Sequence, residues 1–130
     1  MRRAAGAAAL LAVAAGIASG VVRTQQAKLT PSDVASTDLF GFVAVEGDTA
    51  VVGAAGKNSG RGAAYVFTRT GTTWSEEAKL TAADAASGDL FGGTVAVAGD
   101  TAVAGAYNHN SQRGAAYVFT RTGTTWTQQA

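Results

Sequence analysis

Residues 27–77 and 78–130 are nearly the same sentence written twice. One runs from AKLTPSDVASTDLFG to GAAYVFTRTGTTWSEE, the other from AKLTAADAASGDLFG to GAAYVFTRTGTTWTQQ. A fixed period of about fifty residues marks a supersecondary unit that cannot bury its apolar face alone and must stack on its neighbours. The copies stay in step apart from one insertion, where Phe42 stands for Gly93 and Thr94. Thr24, Gln25, Gln26 and Ala27 also match Thr127, Gln128, Gln129 and Ala130, so the repeat is entered and left in mid-unit.

Inside each copy the apolar pattern has the period of strands. FVAVEGDTAVVGA is split by Gly47 and Asp48, and TVAVAGDTAVAGA by Gly99 and Asp100. Both predict tight hairpins with glycine supplying a positive φ. GAAYVFTRT, a turn at Gly71 or Gly123, and a strand through Trp74 or Trp126 complete four strands per repeat. Alternation puts Tyr65 and Phe67 on one face of the third strand and Ala64, Val66 and Thr68 on the other. Trp74, Glu76, Ala78 and Leu80 are expected to share a face of the fourth.

The expected fold is therefore all-β: two four-stranded antiparallel meanders, residues 38–80 and 89–129, stacked face to face as blades of an incomplete β-propeller. Val43, Val45, Val52, Val66, Val95, Val97 and Val118 are expected between the sheets. Residues 21–29 read as a fourth strand without a blade of its own. Since a ring takes roughly four to eight blades, two repeats imply a fragment of a longer propeller, a ring closed by several copies of the chain, or an open stub. The mid-repeat end at Ala130 favours the fragment.

The N-terminus is of another kind. MRR followed by AAGAAALLAVAAGIA, with Ala18 and Gly20 as small residues before a cleavage point, predicts a signal-like helix over residues 1–20. The alternative, a retained anchor, wants about 20 strongly apolar residues, whereas this run is short and rich in Ala and Gly. The mature part is then residues 21–130. Without Arg2 and Arg3 the charge of +1 becomes −1, with the remaining basic residues scattered, which argues against nucleic-acid binding. The absence of cysteine removes disulfides and thiolate metal sites.

Phe40-Gly41 followed by Gly53-Ala54, and Phe91-Gly92 followed by Gly105-Ala106, resemble the FG-GAP repeat, the blade unit of integrin-alpha-like propellers. The VAVxGDTAVxGA core and GAAYVFxRxGxTW tail are similar to the bacterial branch of that family. The resemblance implies a secreted or cell-surface module for protein binding or adhesion. Two departures matter. Calcium-binding members carry a DxDxDG-type loop between the first two strands, but here that place holds Glu46, Gly47, Asp48 and Thr49, or Ala98, Gly99, Asp100 and Thr101. So short a loop cannot supply the roughly six to eight oxygens that calcium takes, and neither metal nor cofactor is expected. Ala55 and Tyr107 also replace the proline of the GAP element.

The copies diverge most over residues 55–61 and 107–113. Lys57, Asn58, Arg61, Asn108, His109, Asn110 and Arg113 are accordingly the candidate partner-binding residues. His109, the sole histidine, has no carboxylate fixed near it in sequence, and reads as a solvated loop residue rather than a base. Asp33, Asp38, Asp84, Ser87 and Asp89 would either bond their own loop backbone, the favoured reading, or gather around a cation. No nucleophile–base pair and no paired carboxylates suggest an enzyme. Protein or glycan ligands, further FG-GAP repeats in the chain and other copies of it are the candidate partners; after signal cleavage a membrane is not. The alternatives to adhesion are a lectin-like propeller stacking sugars on Trp74 or Trp126, and a scaffold without a ligand.

Overall fold

The computed structural model describes residues 24–130; the expected signal, residues 1–20, lies outside the described residues. Eight strands follow in order: β1 (Phe40–Glu46), β2 (Thr49–Ala54), β3 (Ala63–Thr70), β4 (Thr73–Leu80), β5 (Phe91–Ala98), β6 (Thr101–Ala106), β7 (Ala115–Thr122) and β8 (Thr125–Gln128). They form two antiparallel four-stranded sheets in sequential order, the two blades. Gly47 and Gly99, at φ 57° and 55°, turn the first hairpin of each, and Gly71 and Gly123, both at 64°, turn the last. Two single turns, α1 (Lys57–Gly60) and α2 (His109–Gln112), link the second strand of each blade to the third. No helix of the described residues is long and apolar enough to cross a membrane.

The blades stack with unlike faces together. The second blade turns its aromatic face, Phe91, Tyr117 and Phe119 with Ala102 and Ala104, onto Val51, Ala64, Val66 and Leu80 of the first. Phe91 meets both Tyr117 and Phe119 at ring-centroid distances of 5.5 and 5.9 Å, the tilted and edge-on geometry that aromatic quadrupoles favour. Fully burying one such ring stabilises the fold by about 1.5–3 kcal/mol. The aromatic face of the first blade, with Ala50, Val52, Tyr65 and Phe67, forms a second cluster. Leu29 packs there, at the repeat position that Leu80 holds between the blades.

Three expectations are corrected. Val52 and Val66 are buried and Val95, Val97 and Val118 half-buried, but Val43 and Val45 are 70 % and 67 % exposed. Both lie on the aromatic face of the first blade, paired with Val52 and Ala50, and no sheet of the described residues covers them. Residues 24–29, the described part of the expected 21–29 strand, are not in a strand. Finally, Trp74, Glu76, Ala78 and Leu80 do not share a face. The register skips Glu77, so the extra residue of this bulge leaves Trp74 and Glu76 beside Arg69 and Phe67 but brings Ala78 and Leu80 opposite Val66 and Ala64.

Candidate functional site

The motif glycines meet at the seam between the blades. A Cβ on Gly53 would fall on the carbonyl oxygen of Gly92, and one on Gly92, at φ 89°, on that of Ala63. Only glycine lets these backbones approach so closely. Gly62 and Phe91 form an isolated parallel bridge beside them. Leu90 N–H donates to Gly60 O at 2.7 Å, Gly88 N–H to Ser59 O at 3.1 Å and Ser87 Oγ to the same oxygen at 2.9 Å. Turn α1 of the first blade is thus capped by the loop of the second.

A charged lock closes the rim of the seam. The bulge at Glu77 aims its carboxylate at the second blade, where Oε1 accepts from Trp126 Nε1 at 2.8 Å and Arg121 Nη1 at 3.1 Å. Arg121 also donates from Nε to Asp100 at 2.8 Å and from Nη1 to Thr49 Oγ1 at 3.4 Å. Glu46 accepts from Gly99 N–H across the seam. The pairs Asp48–Arg69 and Asp100–Arg121, each 21 residues apart, tie the first hairpin of a blade to its third strand. Sequence reasoning missed this lock, although the identical spacing in both copies was a usable signal.

Each blade also carries a polar latch between its long loop and its divergent turn. In the first, Lys57 Nζ lies 3.0 Å from Asp38 Oδ2 and donates to the carbonyl of Asp33. The Asp33 carboxylate accepts from Tyr65 OH and Lys79 Nζ, both at 2.7 Å, and these bonds, Lys79 foremost, hold it down at about 2. Asp38 accepts from Ala35 N–H at 2.8 Å, the main cause of its lowered pKa. The second blade repeats the plan with Asp89 accepting from Ala86 N–H at 3.0 Å and Tyr117 OH donating to Asp84 at 2.7 Å. Burial, then the bond to Asp84, pushes the Tyr117 phenol up to about 12. Here His109 stands where Lys57 stood, its Nδ1 2.7 Å from Asp89 Oδ2.

His109 is therefore corrected from a solvated loop residue to a half-buried member of a carboxylate cluster whose partners lie 20 and 25 residues away in sequence. The aspartates hold local backbone as expected for Asp38 and Asp89, whereas Asp33 and Asp84 bind side chains of the third strand. Among the described residues no group of three or more His, Asp or Glu is arranged to hold a metal ion.

The candidate partner-binding residues divide. Lys57 is buried in its ion pair, so it is corrected from a contact residue to a structural one. Asn108 is half-buried and donates to Gly88 O at 2.7 Å. Asn58 and Arg61 of the first turn and Asn110 and Arg113 of the second are exposed. Tyr107, at 63 %, joins them. Asn58 and Ser59, like Asn110 and Ser111, sit in the left-handed region at φ 50–58°, a conformation asparagine tolerates well. Trp74 and Trp126 each carry an arginine over the ring, Arg69 at 5.4 Å and Arg121 at 5.0 Å, so a sugar would have to displace a guanidinium.

Among curated proteins, none matches the chain. The family comparison does match, twice: the FG-GAP repeat aligns with residues 23–67 and again with residues 74–119. The first match holds Gly53 and the second Gly92, the two glycines that meet at the seam, and with two sequential four-stranded blades beneath them the chain belongs to the FG-GAP repeat family.

Proposed function

We propose that this chain is an exported, non-catalytic binding module, in which stacked FG-GAP blades hold divergent turns toward a protein partner at the cell surface or outside the cell. The observation that carries this reading is the contrast between the two turns. Backbone bonds from the second blade cap the first turn, whereas Tyr107, Asn110, Gln112 and Arg113 of the second stand exposed where the inner strands β6 and β7 join. Exposed polar and aromatic residues on a loop fixed by a scaffold are the usual material of recognition. The exposed Val43–Val45 strip supports a second contact, with a further FG-GAP repeat, because the matching strip of the second blade is the one that packs on the first.

The test has two parts. N-terminal sequencing of the exported protein is expected to begin at Val21. Immobilised full chain is expected to capture a partner from the extracellular fraction, and Tyr107→Ala with Arg113→Ala is expected to lose it. Retention in the cytoplasm, or capture indifferent to both substitutions, would remove the reading.

A further inference from the structure

Two equivalent turns in one chain are latched by different cations. Lys57 stays charged far above neutrality, whereas His109 is the one side chain here whose ordinary titration falls near neutral pH. The imidazole lies between two carboxylates, with Nδ1 2.7 Å from Asp89 Oδ2 and Nε2 3.6 Å from Asp84 Oδ2. Tyr117 stands edge-on to the ring, centroids 6.2 Å apart, and its hydroxyl holds Asp84. From loop 81–90 and strand β7 the titratable groups facing His109 are thus Asp84, Asp89 and Tyr117.

We propose that the partner-facing turn of the second repeat is latched by a proton on His109, while its counterpart in the first repeat is latched by lysine at every physiological pH. Protonated imidazole has two N–H donors, and both carboxylates face one. The neutral ring keeps a single donor and turns a lone pair toward the other carboxylate, so one contact becomes repulsive. The buried Asp89, at 2.7 Å, keeps that N–H, so the lone pair falls on Asp84, and the bond to Asp89 weakens with the loss of the ring's charge. The same turn is tied to the loop by Asn108, whose Nδ2 donates to Gly88 O and whose N–H donates to Asp89 O at 3.3 Å. Loosening the His109 contact leaves those two bonds to hold the backbone that presents Tyr107, Asn110 and Arg113.

The direction follows from the surroundings. The bond to Asp89, with both carboxylate charges, raises the His109 pKa. Its stabilisation is then complete below the ordinary histidine value of about 6.5, and is lost as pH rises through the higher folded value. At the acid end Asp89 is held below the usual carboxylate range, by His109 first and Ala86 N–H second, so the latch lasts until that carboxylate is protonated. The closed turn belongs to the window between.

Its consequence for partner binding rests on the proposed function, but the latch itself is read from the isolated chain. NMR titration of the sole histidine in the full chain is expected to give a midpoint above that of free histidine, lowered in Asp89→Asn. Amide exchange, corrected for its intrinsic pH dependence, is expected to show several-fold lost protection of residues 107–114 across that midpoint, with residues 55–62 unchanged. His109→Lys is expected to abolish the difference. A midpoint at or below that of free histidine, no response to Asp89→Asn, or the same exchange profile in His109→Lys would overturn the latch. Failure to capture a partner, with these NMR results intact, would instead sink only the binding function.

Discussion

Gly53 of the first blade and Gly92 of the second face one another backbone to backbone, so that a Cβ on Gly53 would lie 3.2 Å from the Cα of Gly92 and inside its carbonyl group. Gly53→Ala is therefore expected to cost about 3 kcal/mol, the upper range for overpacking a filled contact. Gly71→Ala has open space around it and bears only its φ of 64°, which costs about 1 kcal/mol. Urea unfolding of both variants makes the comparison, and equal losses would mean that the seam has room to move.

Glu77 accepts two bonds from the second blade while its side chain is only 10 % exposed. Glu77→Ala takes from the indole N–H its acceptor and from the Arg121 guanidinium its ion pair across the seam, leaving it the bonds to Asp100 and Thr49. The expected loss is about 2 kcal/mol, below the roughly 3–5 kcal/mol of a fully buried pair. In a Trp74→Phe background, Trp126 emission should shift to longer wavelength as its seam opens to water. Unchanged stability and emission would show that apolar packing alone holds the blades.

Acid should unlatch the first blade. Asp33 titrates at about 2 when folded instead of the ordinary 3.8, so its contribution is complete above 3.8 and lost as pH falls toward 2. Thermal melts between about pH 5 and pH 2 are expected to fall more steeply in the wild type than in Asp33→Asn. Parallel curves would assign the acid sensitivity elsewhere.

Val43 and Val95 occupy the same repeat position but not the same surroundings. Val43→Asp is expected to change stability by no more than about 0.5 kcal/mol, as for an ordinary surface site, whereas Val95→Asp places a charge against the first blade and should cost about 2 kcal/mol. Denaturant midpoints decide it. A large loss at Val43 would mean that this strip is covered in solution.

The blades were legible because strand period, hairpin glycines and repeat length all point the same way. The faces of the third strand were equally plain, since Tyr65 and Phe67 alternate with Ala64 and Val66. What local pattern cannot mark is a single extra residue in a ladder: Glu77 carries no sign of being skipped, yet it reverses the face of Ala78 and Leu80. Nor does a valine show whether a sheet lies above it, which is why Val43 and Val95 look alike. The partners of His109 were hidden by distance along the chain, although aligning the copies sets His109 on Lys57 and Asp89 on Asp38.

Because the aromatic face of the second blade meets the small face of the first, no two-fold axis relates the two blades, and each blade carries both halves of the joint. Such a head-to-tail joint is never satisfied by pairing; it ends only when the last face returns to the first. Duplicating the coding unit in tandem therefore adds a blade that already fits its neighbour on either side, and the number of blades can change between genes without any new interface having to arise.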